Sequence, residues 1–509
     1  MAGVGFELKK LFRARTAVGH IRAYTYSALI TAGPFAFMTC MILAIQVLLY
    51  QYAVTDAEAG IFMGAVVYSF VFSQIFSSGF TMVVTRYLAD SIAVGRYADI
   101  TASLFGLLTL LTVAGGVVAA VFLWPGLLPP FTKLLIYLFF LLLMMAWGES
   151  IYLSAIKHYK RLLVSYLWGC LVSILLTWGL LAADGTSLGL SASQCSLLAL
   201  CLGIGLVDLL FLLHITTYFG WPSGGLNFAF LPYFERHWRL FLVAFFYMAG
   251  LFAPNIIIWQ GPDGISVAGI FRFSPRYDVL TFYAFLSILP LMMLFVVSME
   301  TRFYERYAKY FTLITHAGNF RQIDDARKDM VQILWFELRH IVEFQFVFTL
   351  VAFVLGNYIF TGMNMPYADV NLFDVLLTAA FFIGLLQLLY VLMIYFDCQK
   401  ETLRLSAFFF ISNLALGVIG LWLGRDSYGF TFFLTSAGSF LLGLWRLDHY
   451  LKRVNYYVFC SQPVFVRQVR GPLSWLVRRL YGERYVELDA LKEQAVIAGR
   501  TTWDDGDEA

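Results

Sequence analysis

Residues Tyr68–Asp90 read YSFVFSQIFSSGFTMVVTRYLAD. The stretch is apolar and long enough to cross a bilayer, which takes about 20 mostly apolar residues. Within it Ser69, Ser73, Ser77, Thr81 and Thr85 recur at every fourth position, with Gln74 and Ser78 beside them. On an α-helix that spacing draws one slowly drifting hydroxyl stripe along a single face. Arg86 and Asp90 close it. A polar stripe of this length turns away from lipid, toward partner helices or a wet cavity. Serine and threonine serve as small packing residues between membrane helices, and they equally line hydrophilic paths. Either role requires a bundle of helices around this one.

The composition extends that reading to the whole chain. Hydrophobic residues make up 60% and charged residues 13%, against roughly 25% charged in a soluble domain. The fold class is all-α, a polytopic membrane protein. A net charge of +3 without a basic run gives no nucleic-acid partner. The six cysteines fall in apolar spans or the tail without metal spacing, so neither a disulfide framework nor a metal site is expected. Residues 1–23 are polar and basic and lack a small-residue cleavage site, so no removable signal peptide is expected. They read as an amphipathic basic helix lying on the cytoplasmic membrane face.

Apolar spans are predicted at about 24–52, 60–88, 100–123, 133–156, 162–181 and 195–219. A second set runs at about 239–259, 279–299, 341–360, 373–396, 405–423 and 431–447. With the amino terminus inside, all of the 35 Lys and Arg except Lys133, Arg272, Arg276 and Arg425 fall on the cytoplasmic side. This is the bias of the positive-inside rule, and one missed span would scramble it downstream. The expected layout is twelve transmembrane helices in two six-helix bundles, 24–219 and 239–447, with both termini cytoplasmic. Residues 220–238 form the linker, 300–340 a helical cytoplasmic insertion and 448–509 a cytoplasmic tail. The tail holds PLSWLVRRLY at 472–481, an amphipathic stretch, and ends in acidic residues. The insertion and this stretch read as lipid-contacting or solvated faces, or as docking surfaces.

Ala32-Gly33-Pro34-Phe35-Ala36 in the first span is echoed by Ala249-Gly250-Leu251-Phe252-Ala253 in the seventh, followed by Pro254-Asn255. The echo suggests two repeated halves related by an axis along the membrane normal, an arrangement that places a substrate path between them. Pro34 and Pro254 are expected to bend or break the leading helix of each half.

Inside a span an ionisable side chain costs roughly 2.5–3.5 kcal/mol on insertion scales and needs a reason to be there. Asp208 lies near the middle of the sixth span, Glu149 in the fourth, and His214 toward one end of the sixth. The two acids could exchange protons with transport, hydrogen-bond a hydrophilic cargo, or sit protonated against a neighbouring helix. Phosphate-binding loops, HExxH and metal-ligand spacings are all missing from the sequence, so no cofactor is expected and a transporter is expected over an enzyme. The 50 Phe and 29 Tyr exceed the needs of interfacial belts. Tyr24, Tyr26, Tyr68 and Tyr247, with Asn255, are candidates to line the path with a flat face and a polar handle.

The opening Met1-Ala2-Gly3-Val4-Gly5-Phe6-Glu7-Leu8-Lys9-Lys10-Leu11, the Ala32-Gly33-Pro34 turn, and Thr85-Arg86-Tyr87-Leu88-Ala89-Asp90 resemble the PelG family. That family comprises inner-membrane transporters of bacterial Pel exopolysaccharide. The resemblance implies a twelve-helix fold related to Wzx-type flippases and multidrug-toxin extruders. It also implies export of an N-acetylhexosamine polymer toward the periplasm, with other Pel inner-membrane components, one a cyclic di-GMP sensor, and a cytosolic glycosyltransferase as partners. It carries no site residue over. The alternative is a proton-coupled antiporter of small solutes or drugs. Leu88-Ala89-Asp90 followed by Gly95-Arg96 is similar to a loop of major-facilitator transporters, though the glycine comes five residues after the aspartate where three is usual.

Overall fold

Among the described residues, twelve helical segments are long and apolar enough to cross a membrane, and they coincide with the twelve spans expected from hydropathy. The computed structural model describes residues 17–93, 95–156, 159–183, 189–222, 226–315, 318–460 and 471–482. The first six spans are α1 (Ala17–Gln51), α2 (Asp56–Ala93), α3 (Tyr97–Leu123), α4 (Pro130–Ile156), α5 (Tyr159–Ala182) and α6 (Ala192–Phe219). A short helix α7 (Leu231–Arg236) leads into the seventh span, α8 (Trp238–Trp259). A hairpin of β1 (Ile265–Val267) and β2 (Phe271–Phe273) follows. The eighth span is built from α9 (Pro275–Leu286) and α10 (Leu289–Ser298), and a π-helical turn, Met299–Phe303, joins it to α11 (Tyr304–Thr315). The remaining elements are α12 (Phe320–Gly362), α13 (Tyr367–Tyr395), α14 (Gln399–Leu423), α15 (Tyr428–Lys452), α16 (Val454–Phe459) and α17 (Pro472–Tyr481).

The chain forms two compact units whose borders differ from the expected 24–219 and 239–447. One comprises Met1–Gly33, Ala249–Ile265 and Phe273–Val466, here the C-terminal unit; the other, the N-terminal unit, comprises Pro34–Met248, Ser266–Arg272 and Arg467–Ala509. Helices α1 and α8 are each divided between units, at Gly33/Pro34 and at Met248/Ala249. Those are the positions of the echoed Ala-Gly motif. Both helices nevertheless run through their prolines, so Pro34 and Pro254 do not interrupt the helices they sit in. A proline removes one rung of the ladder, and a membrane helix tolerates this when its surroundings re-satisfy the freed carbonyl.

In the N-terminal unit α4 packs against α2, α3 and α6, and α6 against α5. The α5–α6 contact is set by Gly169 and Gly203, where a side chain on either would strike the other's backbone carbonyl. Small residues of this kind let membrane helices approach closely. At one end of α2, Tyr87 meets Tyr233 edge-on at 5.1 Å, and Phe80 meets Phe234 and Phe241 at 5.7 and 5.1 Å. These rings hold α7 and the start of α8 against α2. Helix α6 begins with a capping box, Ser191 with Gln194, and Glu58 of α2 accepts from the Ser193 N–H at 3.0 Å. A carboxylate there satisfies one of the helix's free N–H groups and suits the dipole.

In the C-terminal unit α13 packs against α15, α9 and α12. The eighth span is interrupted at Ser287–Ile288, just before Pro290, and the buried Gln345 of α12 donates to the Ser287 carbonyl at 2.9 Å. A buried amide in the ninth span thus has a structural reason: it satisfies backbone that the break leaves open. The 300–340 segment is helical as expected, formed by α11 and the first half of α12, which opens with an Asn319–Gln322 capping box. Of the expected amphipathic segment 1–23, residues 1–16 lie outside the described residues, as does the acidic end of the tail.

The four cations that depart from the charge bias all have structural work. Arg276 pairs with Asp369 and Arg425 with Asp263. Lys133 donates to the Trp124 carbonyl at 3.4 Å, and Arg272 is held through its backbone by Tyr68.

Candidate functional site

The hydroxyl stripe on α2 is divided by its surroundings. Ser69, Ser73 and Ser77 are buried, with exposures of 2%, 0% and 2%, whereas Gln74 and Thr81 are half-buried and Thr85 is exposed. Ser73 Oγ donates to the Phe70 carbonyl at 3.1 Å and accepts from Trp147 Nε1 of α4 at 3.0 Å. It therefore acts as a packing hydroxyl, with an indole seated on it. Thr81 and Thr85 donate to Ser78 and Thr81 carbonyls of their own helix at 2.9 and 2.8 Å. Such back-bonding satisfies a hydroxyl without a partner helix and leaves its lone pairs available. Of the stripe, Gln74, Thr81 and Thr85 keep access to their surroundings.

Ser69 borders a cavity of about 450 Å³ among α2, α3, α4 and the hairpin, walled mainly by Tyr68, Phe72, Phe76, Phe122 and Phe271. Tyr68 Oη donates to the Arg272 carbonyl at 2.8 Å and accepts from the Arg272 N–H at 2.9 Å. The hydroxyl expected to face a path is thus occupied as a clasp on β2. Phe271 beside it is fully buried, packed so closely on Gly64 that a Cβ there would lie 2.7 Å from the ring.

Glu149 of α4 and Asp208 of α6, 59 residues apart and read separately from sequence, line one groove. It has a volume of about 550 Å³, lies among α3, α4 and α6, and also presents Phe105, Thr109, Thr112 and Met145. The exposed Val113 and Leu209 stand at its open side. Glu149 and Asp208 are only 1% and 5% exposed. Among the described residues no group donates a hydrogen bond to Glu149 Oε2 or to either Asp208 oxygen. Tyr166 of α5 is buried within electrostatic reach of both. An unpaired buried carboxylate is costly. His214, half-buried nearer the end of α6, is not part of the groove lining.

Asn255, a candidate to line the path, is hydrogen-bonded within its own unit. Its Nδ2 donates to Asp278 Oδ1 at 2.7 Å. Trp259 Nε1 reaches both Asp278 oxygens, at 3.0 and 2.9 Å, and the Ser274 N–H reaches Oδ2 at 3.1 Å. Asp278, absent from the expectations because it borders a span, ties the end of α8 to the start of α9. The half-buried Tyr247 lies on α8. The side chains of Tyr24 and Tyr26 lie outside the described residues. Among those described, no cluster of three or more metal-ligating side chains occurs.

No curated protein sequence matches the chain. Solved structures with the same fold are transporters. A variant of the Vibrio cholerae MATE transporter VcmN aligns with a TM-score of 0.57 at 13% identity, covering 89% of this chain and 98% of that one. An outward-facing multidrug resistance MATE family transporter of the MOP superfamily gives 0.54 at 12% identity, with 85% and 96% covered. A MOP superfamily transporter from Pyrococcus furiosus gives 0.53 at 12% identity, with 84% and 96% covered. The profile of PelG, "Putative exopolysaccharide Exporter (EPS-E)", matches residues 1–459. This twelve-span membrane protein therefore belongs to the PelG family of exopolysaccharide exporters and has the fold of MOP-superfamily transporters.

Proposed function

We propose that the chain exports a Pel-type N-acetylhexosamine polymer from the cytoplasm across the bacterial inner membrane, with both termini cytoplasmic. The family match over residues 1–459 carries this reading. The distribution of Lys and Arg supports the orientation. A neutral amidosugar chain calls for hydroxyl and amide groups and few fixed charges along its route. Gln74, Thr81 and Thr85, the accessible part of the α2 stripe, are assigned to that route, while Ser73 holds α2 against Trp147 of α4. A cytosolic glycosyltransferase hands over the growing chain, and other Pel inner-membrane components, one sensing cyclic di-GMP, complete the assembly. The test is reconstitution of this chain with the synthase in sealed vesicles. Polymer protected in the lumen supports the reading, and polymer confined to the outside refutes it.

One observation favours a second element, ion coupling as in the antiporter alternative: among the described residues no hydrogen-bond donor reaches Glu149 Oε2 or either Asp208 oxygen, and both acids line one groove. In this reading the pair takes up a proton or cation during the cycle. Export by the reconstituted system under an imposed proton gradient, compared with none, tests it. Equal rates would leave polymerisation as the driving force.

A further inference from the structure

Helix α17 has two faces with different fates. Ser474, Val477, Arg478 and Tyr481 lie on one side, buried or half-buried, while Trp475, Leu476, Arg479 and Leu480 lie on the other and are exposed. The inner face is seated on α7 and the turn before it. Glu235 of α7 accepts from the Leu473 N–H, the Ser474 N–H and the Ser474 hydroxyl, and Tyr481 Oη accepts from the Phe228 N–H at 3.1 Å. A carboxylate on the first N–H groups of a helix is a strong, oriented seat. One end of the tail helix is therefore fixed by Glu235 and the other by Tyr481, which also fixes the direction of its outer face.

That outer face is three-quarters apolar and carries no partner from this chain among the described residues. Three observations say what covers it. First, only His237 separates α7 from the membrane span α8, so α17 sits on an element that borders the bilayer. Second, Arg479 lies over the Trp475 ring at 5.2 Å, and Arg239 lies over the Trp238 ring at 5.4 Å where α8 begins. The same indole–guanidinium pairing thus marks the start of the span and the outer face of α17. Third, apart from Glu235, which is taken up by the first N–H groups of α17, the charges on α7, the start of α8 and α17 are Arg236, Arg239, Arg478 and Arg479, which suit anionic headgroups. Tryptophan and arginine with leucine on one helix face are the residues of the headgroup layer.

We infer that α17 is an interfacial anchor: Glu235 seats it so that Trp475, Leu476 and Leu480 enter the headgroup layer of an anionic bilayer, with Arg479 on lipid phosphate. The experiment uses the full chain with Cys40 and Cys460 changed to Ser and a spin label on Leu480→Cys, in nanodiscs holding only this protein and lipid. Both leaflets of a disc are alike, so the outcome does not depend on which side is cytoplasmic or on what is exported. Power saturation compares collisions with oxygen, which partitions into lipid, and with a water-soluble nickel chelate. The expected result is a several-fold excess of oxygen over nickel accessibility in phosphatidylglycerol discs, reduced in phosphatidylcholine discs. Arg479→Gln in the labelled chain should remove the difference between the two lipids. Glu235→Gln should raise label mobility by releasing the seat. Equal access to nickel at Leu480→Cys and at a label on the exposed Asp325→Cys, in both lipids, overturns the inference. So does shielding from both reagents, which would mean that protein covers the face.

Discussion

Two acids in this molecule are opposites in their surroundings. Asp278, in the C-terminal unit, receives hydrogen bonds from Asn255, Trp259 and the Ser274 backbone. Asp208, in the N-terminal unit, receives none on either oxygen among the described residues, and lines the same groove as Glu149. Asp208 is also the more deeply buried, 5% exposed against a half-buried Asp278. The count of donors separates them further: Asp278 is given three and is a structural tie, whereas Asp208 is given none among the described residues. The comparison yields tests in which stability and transport respond in opposite ways.

The largest effect is expected at the satisfied site. Asp278→Ala leaves an indole N–H, an amide and a backbone N–H without an acceptor, at about 1–3 kcal/mol for each buried group left unpaired. A loss of about 3 kcal/mol or more should appear as a sharply lower melting temperature in detergent and poor yield. Asp278→Asn, which keeps one acceptor oxygen, should lose less. Should Asp278→Ala melt like the parent, the three donors do not depend on it and the contrast with Asp208 collapses.

At the unsatisfied pair the order reverses. Asp208→Asn and Glu149→Gln remove no hydrogen bond seen in the structure, so stability should stay within about 1 kcal/mol of the parent. Gradient-driven export, measured in vesicles, should fall to the level without a gradient. A variant as unstable as Asp278→Ala would show that Asp208 too is a tie.

Much of this was legible in the sequence, and the illegible part has a common cause. Hydropathy and the charge bias located all twelve spans because both are local sums over a segment. The hairpin escaped because each strand is three residues long, too short for a period, and its fixation depends on Tyr68, some 200 residues away. The sharing of α1 and α8 between units is likewise a property of contacts, with only the echoed Ala-Gly motif as a sign. The stripe on α2 showed which residues share a face, but periodicity does not say whether an indole or a cavity lies opposite. Asn255 was noticed for the right reason, as a polar group in a span; its partner Asp278 sits 23 residues on, outside any helical spacing.

The clasp on the hairpin offers a smaller effect. Tyr68→Phe removes one donor and one acceptor at Arg272, worth about 1–2 kcal/mol together. Hydrogen exchange should show the Arg272 amide opening faster while the amides of α2 are unchanged. Unaltered exchange there would mean that Phe271 packing alone holds the strand.

The smallest effect separates the two parts of the stripe. Ser73→Ala removes the acceptor for Trp147 Nε1, and interhelical hydrogen bonds of this kind contribute about 0.6 kcal/mol in membranes. Export should persist, because Ser73 is fully buried and touches α4 rather than an open surface. Thr85→Ala should leave stability unchanged, since the hydroxyl bonds only its own helix. Thr85→Leu, which places an apolar group at an exposed position among polar neighbours, should slow export at normal protein level. Two outcomes would reverse these assignments: an export defect in Ser73→Ala at full stability, or wild-type export in Thr85→Leu. The path would then lie along the face of α2 that now packs against α4, and the helix would have to rotate or separate from Trp147 during transport. Because Ser73 and Thr85 stand twelve residues apart on one helix, a single labelled α2 distinguishes that motion from a fixed packing face.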